Sequence, residues 1–63
     1  MMKVGDLVRL TAFEKTTGLH GALCLVLRVR EWDGKDVADV FCYETHEEIP
    51  IEIKHGEVLS ESR

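Results

Sequence analysis

The 63-residue sequence predicts an all-β domain: five short antiparallel strands curled into a small barrel, with a long loop between strands one and two. Three observations carry this expectation. Apolar residues alternate with a period of two, residues with strand preference dominate, and no segment of helix length keeps an apolar stripe at i, i+3, i+4 and i+7. Asp33-Gly34 stands between two such runs, where both central residues of a tight hairpin must tolerate positive φ. A chain this short buries only about 60% of its unfolded surface, so strands with one apolar face each must turn those faces toward one another. Residues 1–63 are read as a single domain.

The first strand is expected over Asp6 to Ala12, followed by a long loop, Phe13 to Gly21, that carries Thr16, Thr17, Gly18 and Gly21. Strands two and three, Ala22 to Trp32 and Lys35 to Tyr43, are joined by the Asp33-Gly34 turn. Uninterrupted pairing from that turn sets Val29 against Ala38, Leu27 against Val40 and Leu25 against Cys42 on one apolar face. Arg28 against Asp39, Val26 against Phe41 and Cys24 against Tyr43 then form the other face, with opposite charges directly across the ladder. A Thr45-His46 loop would place Cys42 opposite Ile49 and Asp39 opposite Glu52, a like-charge clash; a longer Glu44 to Glu47 loop is the alternative. Strand four, Glu48 to Lys54, contains Pro50, which cannot donate to a ladder and suits an edge. A turn at Lys54-His55-Gly56 leads to strand five, Glu57 to Ser60. The expected core is Val8, Leu10, Leu23, Leu25, Leu27, Val29, Ala38, Val40, Cys42, Ile49, Ile51, Ile53 and Val58.

Composition narrows the chemistry. With 44% hydrophobic residues the chain is too apolar for disorder. Its longest apolar run, Ala22 to Leu27, is far short of the roughly 18 residues that span a bilayer. The opening Met1-Met2-Lys3-Val4-Gly5-Asp6 lacks a signal-peptide stretch, so a cytoplasmic protein is expected. Cys24 and Cys42 have no zinc-type spacing with His20, His46 or His55, and with Cys42 inward and Cys24 outward they could neither share an ion nor pair. No metal, cofactor or catalytic residue is expected, and Glu44, Glu47, Glu48 and His46 read as a solvated turn.

Val4-Gly5-Asp6-Leu7-Val8-Arg9-Leu10, a loop, Gly18-Leu19-His20-Gly21 and then Leu23 to Val29 resemble the opening of an SH3-like barrel of the KOW type. Thr17 stands where that family usually carries Lys, and Ala12-Phe13 near where it carries Gly. The resemblance implies an SH3-like barrel and, as one function, nucleic-acid binding. The whole chain, including Glu57-Val58-Leu59-Ser60-Glu61, also resembles short barrel proteins of marine phages and environmental (metagenomic) sequences, which carry no established activity. That likeness implies a phage or marine microbial source, and a cytoplasm that could be that of an infected bacterial host.

Two functions follow, both non-enzymatic. The first is a protein-interaction or assembly module, self-association included, through an outward surface of Val26, Trp32, Phe41 and Tyr43. The alternative is a KOW-like nucleic-acid binder using Arg9, Lys15, Arg28 and Arg30. The net charge of −4 is uneven: residues 1–31 hold five basic and three acidic side chains, residues 32–63 three basic and nine acidic. Any phosphate contact is thereby confined to a strip of the first half.

Overall fold

The Asp33-Gly34 turn forms as expected, with φ of 53° and 75° at its two central residues, the paired positive values of a type I′ hairpin. The computed structural model describes residues 2–11 and 21–60; Lys15 and most of the expected long loop lie outside them. Five strands, β1 (Leu7–Leu10), β2 (Leu23–Trp32), β3 (Lys35–Cys42), β4 (Glu47–Glu52) and β5 (Gly56–Ser60), form one antiparallel sheet in the order β4-β3-β2-β1-β5. Pro50 lies on the edge strand β4, as its missing N–H requires. A 3-10 turn, Ile53–His55, takes the chain from β4 at one edge to β5 at the other. Among the described residues no helix is long and apolar enough to cross a membrane.

Pairing from the turn runs as expected for Trp32–Lys35, Arg30–Val37, Val29–Ala38 and Arg28–Asp39. It then slips by one residue. Val26 faces Val40, Leu25 faces Phe41 and Cys24 faces Cys42, with Leu27 left over as a β-bulge. A one-residue slip exchanges the two faces of a strand, so the expected orientation of β2 beyond Arg28 is reversed. Cys24 and Val26 are fully buried, while Leu23 and Val29 are exposed and Leu25 and Leu27 half-buried. The small side chains now inside suit the tight interior of a sheet that must bend sharply over few residues.

The residues that lead into β1 are tied to β2 beside this bulge. Gly5, at φ 91°, donates its N–H to the Val26 carbonyl at 2.8 Å, and Val26 donates back to the Asp6 carbonyl at 2.9 Å. The left-handed conformation at Gly5 is one that a side chain would strain. Asp6 is buried, and its carboxylate accepts the Lys3 N–H at 2.8 Å, closing the turn that feeds β1.

The connection from β3 to β4 also differs from the two-residue loop. Tyr43–His46 form a four-residue turn closed by the His46 N–H on the Cys42 carbonyl at 2.8 Å, with His46 at φ 57°. The register moves by two residues, which preserves the inward face: Ala38 opposes Ile51 and Val40 opposes Ile49. Asp39 now faces Pro50 and Glu52 faces Val37, so the like-charge pair does not form.

The core gathers Met2, Val8, Leu10, Ala22, Cys24, Val26, Ala38, Val40, Cys42 and Ile51, with Ile49, Ile53 and Val58 packed against it. At Gly56 a β-carbon would lie 3.2 Å from Ile51 Cδ1 of β4 and 3.8 Å from Val8 Cβ of β1. Side chains from β4 and β1 therefore meet beneath the start of β5. The sheet is curled around a single core.

The bulge makes a prediction that the unbroken register reverses. Val26→Ala should cost about 2 kcal/mol through a core cavity, and Leu27→Ala about 1 kcal/mol or less. Urea denaturation of the two variants measures both.

Candidate interaction surface

The outward face of β2, β3 and β4 is built from rows fixed by the registers. Leu25, Phe41 and Glu48 form one row; Arg28, Asp39 and Pro50 the next; Arg30, Val37 and Glu52 a third; Trp32 and Lys35 end it at the hairpin. Its centre is charged. Arg30 grips Asp39 with both ends of its guanidinium, Nε to Oδ2 at 2.9 Å and Nη2 to Oδ1 at 3.0 Å. Arg28 adds Nε to the same Oδ2 at 3.0 Å and reaches Glu48 Oε1 with Nη2 at 2.7 Å. The hydrogen bonds from Arg30 and then Arg28 outweigh the effect of burial and hold the Asp39 carboxyl at about 2, below its ordinary 3.8. Both guanidinium groups keep their protons correspondingly more firmly, chiefly through the hydrogen bond to Asp39.

Apolar surface flanks this clamp on both sides. Toward the Tyr43–His46 turn, the Phe41 ring meets Tyr43 edge-on at 5.4 Å between centroids and stacks on the His46 imidazole at 6.4 Å. Leu23 and Tyr43, paired across the ladder by the Tyr43 N–H on the Leu23 carbonyl, are 40% and 43% exposed. Toward the hairpin lies a groove of about 300 Å³, with Val37 and Pro50 as apolar lining and Trp32, Arg30, Lys35 and Glu52 around them. Glu52 is held by Lys35 at 3.3 Å, with Lys54 at 3.6 Å and His55 at 3.5 Å beyond it.

The four side chains expected to make one interface are thus not together. Val26 is in the core, because the bulge turned it inward. Phe41 and Tyr43 lie at one end of the outward face and Trp32 at the other, on the order of 25 Å apart along β3, with the arginine clamp between them. The expected basic strip is also divided. Arg28 and Arg30 converge on Asp39, while Arg9 lies on β1 with its Nη2 on Glu57 Oε2 at 2.7 Å. Lys15 is outside the described residues. The groove has no signature in the sequence, since Val37 and Pro50 come together only through the β3–β4 register. Compared with known protein families, curated proteins and solved structures, the chain matches none.

The clamp gives a pH signature. Because the folded-state pKa of Asp39 is depressed, its stabilisation is complete above the ordinary carboxyl value and is lost as pH falls from about 4 to about 2. With both arginines largely solvated, about 1–2 kcal/mol is at stake. Asp39→Asn should lose that amount at neutral pH and flatten this part of the acid limb in urea titrations between pH 2 and pH 5. An acid limb identical to that of the wild type would remove the clamp from the account.

Proposed function

We propose that this chain is a non-enzymatic interaction or assembly module on a small SH3-like barrel, of phage or environmental microbial origin, and that it docks a protein surface against Trp32. The observation that carries this reading is Trp32 itself. The only tryptophan of the sequence is left 65% exposed beside a groove with an apolar lining and a rim of both charges. Exposed aromatic and arginine side chains around a small apolar centre are the composition of binding hot spots. The barrel reading is supported by the strand order, with β1 between β2 and β5, and by the 3-10 turn that joins the two edge strands. A second copy of the chain is the first occupant to test, since small scaffolds gain stability by associating.

Trp32 reports on its own burial through its fluorescence. Sedimentation velocity over rising concentration should show a monomer passing to a dimer, with the emission moving to shorter wavelength in step. Trp32→Ala should weaken that association at least about tenfold. A chain that stays monomeric with unchanged emission at millimolar concentration contradicts self-docking. Binding of mixed DNA or RNA near 50 mM salt, weakening steeply as salt rises, would favour the nucleic-acid alternative instead.

A further inference from the structure

We propose that Cys24 and Cys42 form a cross-strand dithiol that closes reversibly to a disulfide. The bulge at Leu27 brings these two residues directly opposite one another on β2 and β3. They occupy a non-hydrogen-bonded site of the ladder. The neighbouring pair is bonded through the Tyr43 N–H and the Leu23 carbonyl, and two residues along from Cys24 the Val26 N–H points to β1 instead of β3. At such sites Cα atoms stand about 4.5 Å apart, inside the 4.4–6.8 Å range that a disulfide spans, though at its short end. A bond formed there is strained and hence readily reduced. Both cysteines lie in the core, close enough for each to shift the other's ionisation.

The two sulfurs have different surroundings. Burial raises the Cys24 thiol to about 12, and the charge of Cys42 beside it adds to that. At Cys42 burial also acts upward, but the Thr45 N–H and hydroxyl, the Glu44 N–H and the Cys24 thiol together bring the net value below the ordinary thiol range. Cys42 is therefore the more readily ionised of the two thiols, and Cys24 the one that holds its proton. Cys42 is also the last residue of β3, and the four turn residues after it are exposed. Opening that turn alone uncovers its sulfur without unfolding the sheet.

The oxidant is a small-molecule disulfide of the glutathione class. The Cys42 thiolate attacks one of its sulfurs, a mixed disulfide forms, and the first small thiolate leaves and takes up a proton. Cys24 then gives up its proton and attacks the Cys42 sulfur, forming the Cys24–Cys42 bond and releasing the second small thiol. Two protein thiols have lost two electrons and two protons, and the small disulfide has become two thiols.

The test is incubation of the full chain with oxidised glutathione, acid quench, alkylation in urea and intact-mass spectrometry. With only two cysteines in the chain, a monomer that has lost two hydrogen atoms and takes no alkyl group contains this bond, and dithiothreitol should return both thiols. Cys24→Ala should stop at a stable glutathione adduct on Cys42. Cys42→Ala should react at least tenfold more slowly. The proposal is overturned if the native wild type keeps two alkylatable thiols under conditions that oxidise the same chain in urea, or if the linkage joins two chains. The wild-type result decides even where a variant fails to fold, and equal rates in the two variants overturn the assignment of Cys42 as the attacking sulfur.

Discussion

One extra residue in β2 governs this molecule. Leu27 has no partner on β3, and its insertion reverses which side chains of β2 enter the core. Cys24 and Val26 go in; Leu23 and Leu25 turn toward the surface. Bulges bend and twist the strand that carries them, and a five-stranded sheet with two edges must bend strongly to shield one apolar face. The interior that results is small, with Ala22, Cys24, Val26, Ala38, Val40 and Cys42 among its members. Met2 and Leu10 supply bulk from β1 and the residues that lead into it.

The same residue organises the outward face. On the hairpin side of Leu27 the strands keep the register of the Asp33-Gly34 turn, which sets Arg28 across from Asp39 and Arg30 one row further on. Asp39 is buried between them, and the two guanidinium groups that hold it keep their outer edges in water. On the far side the shifted register sets Leu25 beside Phe41, and the Tyr43 and His46 rings close over that row. A charged centre with an apolar surface at each end is the consequence, so the Trp32 groove and the Phe41–Tyr43 cluster are distinct places on the molecule.

Most of the strand plan could be read from the residues, and the reason it failed in β2 is physical. Around Arg28-Val29-Arg30 polar and apolar residues alternate, and the inferred pairing there is the observed one. From Ala22 to Leu27 every residue is apolar. An unbroken apolar run has no polar side chain to mark its outer face, so only the turn sets the expected phase of the strand, and nothing in the run signals the slip. The β3–β4 register was displaced by two for a similar reason: Ile49, Ile51 and Ile53 offer the same inward face at either spacing. What an even shift leaves intact, an odd one reverses. The four-residue turn with His46 in the left-handed region selects the spacing. The cysteine pairing and the groove beside Trp32 both depend on these registers, and neither shows in the local sequence.

Solution NMR tests the bulge most directly. In an antiparallel ladder the Hα atoms of a non-hydrogen-bonded pair approach each other closely across the strands. A strong Hα–Hα contact is expected between Cys24 and Cys42 and another between Val26 and Val40. Contacts pairing Leu25 with Cys42 and Leu27 with Val40 would contradict the bulge.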